Sequence, residues 1–367
     1  MKFLIRTLAI ILAVINTLFA LLMLATAYAD RIDPSVHPIL SCIGLTFPIV
    51  LVINICCYLL ILIMQQYKLL WFPTLAFILC FGQIRDTLPI HLFAEDAPLN
   101  SSKLLSYNVM AFNGLESDKG GERVLEYLKS SDAHIICLQE YAVGLSKNHI
   151  TQRQVDKALS DYKYHRINKI GKGKKGHAST LACYSKYPIL SAKPLKLESL
   201  YNGAVAYELK IDNDTVLLIN CHLESNRLTS ADRQLYEEIL EMPEGEKLKS
   251  NSKTLLRKLA LAANIRGAQA KAIAQVIQES KHKRVMVCGD FNDTSTSFSH
   301  RTISQGLQDA FTETGTGLGT SYHQHLFYFK IDHILCSSGI QPYQCEVDND
   351  IKESDHYPIM CHFRILQ

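Results

Sequence analysis

The chain has 367 residues, 38 basic and 35 acidic side chains, a formal net charge of +3 and an apolar fraction of 48%. That length holds two or three units of ordinary size, and the apolar fraction excludes a disordered chain, a collagen-like repeat and a small disulfide-stapled scaffold. The averages conceal a division: only 10 charged side chains fall in residues 1–100, so the first hundred residues read as membrane-like and the rest as a soluble domain.

In chain order, three stretches carry no charge: 7–29, 38–67 and 69–84. A hydrocarbon core about 30 Å thick takes roughly 20 apolar residues of helix, so the first two are long enough. The third contains Pro73 and spans only if the residues towards Leu92 join it. This places a transmembrane region at 1–92, with two or three helices at 7–29, 38–64 and 69–88. The alternative for the first run is a cleaved signal peptide, since Lys2 and Arg6 precede it and it ends in Ala-Thr-Ala-Tyr-Ala. Its length, and the second apolar run behind it, favour an anchor. Lys2, Arg6 and Lys68 against the Asp-rich loop at 30–37 put the N-terminus in the cytoplasm. Three passes then carry everything after Arg85 to the outer side of a plasma (inner) membrane. A re-entrant third segment reverses that sidedness.

Seven of the eleven cysteines lie beyond residue 100, most of them in apolar runs (Cys137, Cys183, Cys221, Cys288, Cys336). They read as small buried hydrophobes rather than a disulfide framework. That favours a reducing compartment and pulls against the topology, to which we give more weight.

Residues 93–101 read as a linker, and 102–367 as one layered α/β domain. Its expected strands are Leu104–Val109, His134–Leu138, Thr180–Tyr184, Ala204–Ile211, Val216–Cys221, Arg284–Cys288, Ile331–Cys336 and Tyr357–Arg364; helical periodicity marks 121–130, 151–160 and 266–279. A helical insertion occupies 226–265. From Lys247 to Lys271 there are seven basic residues and no acid, and from Tyr162 to His177 six basic residues and no acid. One charge run is an ordinary solvated face. Two of them, including Lys172, Lys174, Lys175, Lys253 and Arg257, form a candidate polyanion-facing, substrate-binding surface.

The apolar runs repeatedly end on one polar residue able to bind a metal or a phosphate: Asn108, Glu140, His222, Asp290 with Asn292 beyond it, and Ser354-Asp355-His356 before the last run. Strand ends on one rim of a sheet core can converge, and strands hold side chains more rigidly than loops do. Singly, each reads as a turn or cap residue; His177 and His300 keep that plain reading. The joint order carries the signal.

The segments Ser106-Tyr107-Asn108-Val109, Leu138-Gln139-Glu140, Asn220-Cys221-His222-Leu223, Gly289-Asp290-Phe291-Asn292, Ile331-Asp332-His333-Ile334-Leu335 and Ser354-Asp355-His356-Tyr357-Pro358 closely resemble the successive motifs of the endonuclease/exonuclease/phosphatase superfamily. The resemblance covers about 102–366. It implies an αββα four-layer sandwich of two mixed β-sheets, here preceded by transmembrane helices, and hydrolysis of phosphate esters with Mg²⁺ or Mn²⁺. It also implies roles. Glu140 is the principal metal ligand, with Asn108 and Asp355 beside it. Asp290 aligns or deprotonates the attacking water, helped by Asn292. His356 contacts the scissile phosphate, oriented by Asp332, and His222 donates to a non-bridging oxygen. Mg²⁺ keeps several waters and needs only one or two carboxylates, and positioning with electrostatics suffices for phosphoryl chemistry. The sequence departs from the family at Lys330 and His333, where Arg and Tyr are common. His333 reads as a strand residue facing elsewhere, with a phosphate contact as the lesser alternative, and Arg266 and Gln269 as scaffold or as support behind the site residues.

Three functions compete. A membrane-anchored nuclease fits the basic stretches. A phosphatase or phospholipase C/sphingomyelinase-like hydrolase fits them equally, because anionic lipid also attracts Lys and Arg. The third, an inactive tethered binding module, is disfavoured because every expected catalytic position is filled. Stacking aromatics would favour a nucleic-acid strand; Tyr162, Tyr164 and Tyr322 are available. The expected partners are a phosphate-ester substrate (nucleic acid or anionic lipid) and the bilayer; no protein partner is inferable.

Overall fold

The computed structural model describes residues 2–91, 93, 95–113, 119–147, 149–171, 180–226, 232, 246–324 and 327–366. The apolar N-terminal part forms helices α1 (Lys2–Ala27), α2 (Pro38–Ser41), α3 (Phe47–Ile63), α4 (Trp71–Leu79) and α5 (Phe81–Thr87). Residues Phe3–Arg31 and Pro38–Ile63 are each long and apolar enough to cross a membrane. The stretch expected as a third helix is instead broken, α4 and α5 meeting at 66°. The break falls at Cys80, whose φ and ψ of −94° and 7° leave the helical region.

Small residues let these helices approach closely. Ala20, Met23 and Ala27 of α1 pack on Phe47, Val50 and Leu51 of α3 and on Ala76 and Cys80. Ala13 packs on Ile61 and Leu70, so α1 and α3 run antiparallel. The buried Asn54 donates its Nδ2 to the carbonyls of Phe19 and Val50, both at 2.9 Å. That satisfies its amide N–H groups in an apolar surrounding.

The soluble part runs β1 (Ser102–Asn108), α6 (Gly120–Ser130), β2 (Ile135–Gln139), α7 (Gln152–Ala158), β3 (Tyr164–Lys169), β4 (Thr180–Ser185), β5 (Ile189–Pro194), β6 (Gly203–Ile211), β7 (Asp214–His222), α8 (Glu246–Gln278), β8 (Arg284–Asp290), α9 (Phe298–Ile303), β9 (Leu307–Asp309), α10 (Ala310–Thr314), β10 (Tyr322–Gln324), β11 (Phe327–Phe329), β12 (Asp332–Ser337), β13 (Ile340–Val347) and β14 (Ile359–Ile365). Two six-stranded mixed sheets form, ordered β13-β14-β1-β2-β4-β3 and β5-β6-β7-β8-β12-β9. Strands buried on both faces read as near-continuous apolar runs, and here the two faces are filled separately. Leu104, Ile135, Cys183, Val205, Leu218, Met286 and Ile334 fill the space between the sheets. Val124, Leu128 and Val155 of α6 and α7 cover the outer face of one sheet, and Ala270 and Ile273 of α8 that of the other. The result is the expected αββα sandwich. The cysteines among these residues are free and buried. Of the expected insertion 226–265, α8 supplies the second half; 227–231 and 233–245 lie outside the described residues.

The two parts touch. Lys271 Nζ donates to Asp33 Oδ2 at 2.6 Å, Arg301 Nη1 to Asp30 Oδ2 at 3.3 Å, and Thr296 Oγ1 to the Gly44 carbonyl at 3.1 Å. A Cβ on Gly267 would stand 2.5 Å from Pro34 Cγ. Beyond the bend, Arg85 Nη2 donates to Glu313 Oε1 at 2.9 Å. The loop after α1 and the end of α5 therefore both face the sandwich, whereas Leu70, beside Lys68, packs at the level of Ala13.

Candidate active site

Strand register brings the candidate residues to one mouth. β7 and β8 are parallel, with His222 opposite Asp290; β12 runs antiparallel to β8, with its first residue, Asp332, also opposite Asp290. In the facing sheet, β1 and β2 are parallel with Asn108 opposite Gln139, which puts Glu140 just past the strand end. Tyr322 forms an isolated bridge with His356, just before β14. Two backbone features hold this rim. Glu140 and Asn292 have φ of 50° and 52°, a region non-glycine residues occupy at a cost and typically at functional positions. Gly289 has φ of 130°, and a Cβ there would lie 2.0 Å from the Cys221 carbonyl oxygen. Only glycine lets β8 lie this close to β7 while delivering Asp290.

The side chains interlock. Asn108 Nδ2 donates to Asp290 Oδ2 at 3.1 Å and reaches Glu140 Oε1 at 3.4 Å. His222 Nε2 lies 3.6 Å from both Glu140 Oε1 and Asp290 Oδ2. His356 Nε2 lies 3.5 Å from Asp290 Oδ2, and its Nδ1 is 2.7 Å from Asp332 Oδ2. Asn292 turns away: its Nδ2 donates to the Leu223 carbonyl at 3.0 Å, while its backbone N–H donates to Asp290 Oδ1 at 2.8 Å. It fixes the Asp290 carboxylate through the backbone.

Burial sets the charges. It pushes the Asp290 carboxyl up to about 6, against the pull of the His356 charge. It also raises Glu140, and the like charge of Asp355 adds to this. Burial lowers His222, favouring a neutral imidazole. Burial opposes charge on His356 too, but Asp332 and Asp290 together outweigh it and raise this imidazole well above its ordinary value. A protonated imidazole held between carboxylates can donate to an anionic oxygen, and a buried carboxylate short of compensating charge can accept a proton from water.

The donor set suits a hard divalent cation. Glu140, Asp290 and Asp355 offer carboxylate oxygens, and a half-turn of the Asn108 amide adds another oxygen. The raised Glu140 beside Asp355 marks negative charge that a cation would offset. Asp290, Asp332 and His356 lie close enough to share an ion, but the 2.7 Å contact between His356 and Asp332 already uses that pair.

Other expected residues fall elsewhere. His333 points to the opposite face of β12, its Nε2 3.0 Å from the Asp293 carbonyl and its Nδ1 3.3 Å from Asp309 Oδ2. Arg266 is buried, donating from Nε to Asp293 Oδ2 at 3.2 Å and from Nη1 to the Glu224 carbonyl at 2.9 Å, and Gln269 Oε1 accepts from Glu224 N–H at 2.8 Å. Both are scaffold, as expected. Lys253 and Arg257 are not brought to the mouth. They precede Arg266 on α8 by 13 and 9 residues, roughly 20 and 14 Å along a helix. Lys172, Lys174 and Lys175 lie outside the described residues. Tyr162 is core, its hydroxyl bonded to the Ala133 carbonyl at 2.9 Å, whereas the Tyr322 ring meets His356 edge-on at 5.1 Å.

Several residues at or beneath the mouth were given no role by the sequence. Asn202 Nδ2 contacts His222 Nε2 at 3.1 Å; its signal was the Asn-Gly step at the start of β6, where Gly203 pairs with His222. Ser354 Oγ donates to the Asn108 carbonyl at 2.6 Å. Between the sheets, Gln139 Nε2 donates to Asn220 Oδ1 at 2.7 Å and to Ser106 Oγ at 3.1 Å, joining the sheets directly beneath the mouth.

Comparison with known proteins agrees with this geometry. The family model described as "Endonuclease/Exonuclease/phosphatase family" matches residues 105–356, and a domain of unknown function (DUF8431) matches residues 9–87. A search of the curated proteins finds no match. Among solved structures, TDP2 of D. rerio complexed with single strand DNA product has 14% identity and a TM-score of 0.50, covering 72% of this chain and 99% of that one. The endonuclease/exonuclease/phosphatase from Bacteroides vulgatus has 17% identity and a TM-score of 0.50, with the same coverage of 72% and 99%. Both share the fold of the sandwich described above. With six motifs in order and most of its length matched, the chain belongs to the endonuclease/exonuclease/phosphatase family.

Proposed function

We propose that the chain is a membrane-anchored, divalent-metal-dependent phosphoesterase that cleaves phosphodiester bonds by direct attack of water. The observation that carries this is the meeting of Asn108, Glu140, His222, Asp290, Asp332 and His356 at one mouth. Glu140, with Asn108 and Asp355, would hold Mg²⁺ or Mn²⁺, which when bound neutralises charge on the phosphate. Asp290, held by the Asn292 N–H, accepts the proton of the attacking water. His356, kept protonated by Asp332 and Asp290, donates from Nε2 to a phosphate oxygen. His222 on the neighbouring strand would give a second donor when its Nε2, which here accepts from Asn202 Nδ2 at 3.1 Å, carries a proton. The developing charge thus meets donors already in place, so little reorganisation accompanies the reaction.

Two substrate classes fit. A nucleic-acid strand is one, in keeping with the DNA product that the D. rerio protein carries. A lipid headgroup phosphodiester is the other, favoured by the seating of the segment after Asn292: Thr296 and Arg301 lie on the loop between the first two apolar helices. That seating would hold the mouth near a bilayer surface. The positive-inside pattern puts the sandwich on the extracytoplasmic side, and residues 1–92 and 102–367 act as anchor and catalytic domain.

The test is a substrate panel on the full chain in detergent: plasmid, single-stranded DNA, sphingomyelin, inositol phosphates and a chromogenic phosphodiester, each with Mg²⁺, Mn²⁺ or EDTA. Metal-dependent turnover that Glu140→Gln and His356→Ala both abolish is expected. Turnover retained in either variant, or undiminished in EDTA, refutes the assigned chemistry.

A further inference from the structure

Away from the mouth, one face of α8 is left without cover by the described residues. Lys253, Leu256, Arg257, Ala260 and Leu261 line a groove of about 690 Å³ whose opposite wall is Pro38 and Ile39. Those two residues open the second candidate membrane span. The lining is mostly apolar, and Leu261 and Ile39 are 60% and 54% exposed. Large aliphatic side chains that open to solvent on a soluble domain call for a cover. The position says what covers them: the groove stands at the level where a spanning helix begins, where headgroups give way to acyl chains.

Its charge says which lipid. Lys253 and Arg257 are four residues apart and so share one helix face. Among the described residues no carboxylate pairs with either, whereas the next basic residue, Lys258, is neutralised by Asp232 at 2.6 Å. No acid occurs between Lys247 and Lys271. Two unneutralised cations above an apolar trough match a phosphate with its glycerol and acyl chains.

We infer that the groove between α8 and Pro38–Ile39 is a binding site for an anionic phospholipid, held by Lys253 and Arg257 at the headgroup and by Leu256 and Leu261 along the chains. The site is distinct from the mouth; it rests on the reading of α1 and α3 as membrane-spanning but on no particular substrate. It ties the catalytic domain to the bilayer surface through lipid, beside the protein contacts at Asp33 and Gly44.

The experiment uses the full chain reconstituted in phosphatidylcholine nanodiscs containing a photoactivatable phosphatidylglycerol or, in parallel, a phosphatidylcholine with the same reactive chain. Labelled peptides are read by mass spectrometry. The expected result is labelling of residues 252–264 by the phosphatidylglycerol probe at least about five-fold above the phosphatidylcholine probe. Lys253→Ala with Arg257→Ala should remove that excess, and Lys253→Arg with Arg257→Lys should retain it. Equal labelling by both probes, or an excess that survives the double alanine variant, overturns the proposal. So does displacement of the label by a DNA oligonucleotide, which would make the face a nucleic-acid surface. Release of the protein from vesicles by alkaline carbonate overturns the spanning reading itself, a result separable from the labelling pattern.

Discussion

At the scale of single residues, the site is organised by burial acting against charge. His356 stays protonated only because Asp332 and Asp290 face it from two strands. Asp332→Asn keeps the shape but removes one of those charges. We expect kcat to fall by about 10²-fold or more with KM little changed, and the alkaline limb of the pH–rate profile to move to lower pH; an unmoved limb would mean that Asp332 only packs. Burial pushes Asp290 up to about 6, and a raised carboxyl acts as a base only above its pKa. Activity should therefore be lost as pH falls through about 6, or through a lower value with a cation bound, since a cation favours the carboxylate. A pH profile of kcat/KM at saturating Mg²⁺ measures this; an acid limb well above 6 would contradict the assignment of Asp290 as the base.

At the scale of elements, what matters is how strands deliver these side chains. The expected inner strands are found within a residue or two because they are long, apolar and buried on both faces. Strands β3, β5, β9 and β13 of the two large sheets were not expected, nor was the small β10–β11 pair. β3 and β5 are edge strands with largely exposed or half-exposed side chains (Tyr164, His165, Arg166; Leu190, Lys193); β9 is an edge strand of three residues. β13 carries Pro342, tolerable only at an edge. The close passage of β8 against β7 yields a sharp prediction. Gly289→Ala must move the Cys221 backbone and should destabilise the sandwich by about 3 kcal/mol or more, seen as a lower Tm with loss of activity. The Gln139–Asn220 bond that joins the two sheets has no apolar substitute of like geometry. Asn220→Ala leaves Gln139 Nε2 with fewer partners and should cost about 1–3 kcal/mol, measured by denaturant unfolding of the full chain in detergent.

Across the whole molecule, the apolar N-terminal helices and the sandwich meet through a few specific contacts rather than a flexible tether. Lys271 holds the Asp33 carboxyl down at about 2, chiefly through its hydrogen bond. The pair is a third or more exposed, so it adds little to stability. The shape of the contact matters more: Gly44 and Gly267 leave no room for a Cβ beside Thr296 and Pro34. Gly267→Ala should loosen the loop at 28–46 while leaving the sandwich's melting temperature nearly unchanged. Hydrogen exchange would report this as faster exchange confined to that loop, and unchanged exchange there would show that the contact is not tight.

The sequence alone determined the division into apolar and soluble parts, the layered class and the roster of the mouth, because apolar runs and the polar residues that end them are local features. Asn108, Glu140, His222, Asp290 and His356 were legible because these local features recur in the order of the family's motifs. Only the tertiary structure decided which faced inward. His333 differs from Asp332 by one position yet points to the other side of the sheet, as strand alternation demands. Asn202 reached His222 through pairing with a strand twenty residues away. The groove beside Pro38 exists only because a helix from the soluble part lies against the start of a membrane-length one; distance in the chain holds no record of such a meeting, since it is set by how whole surfaces pack.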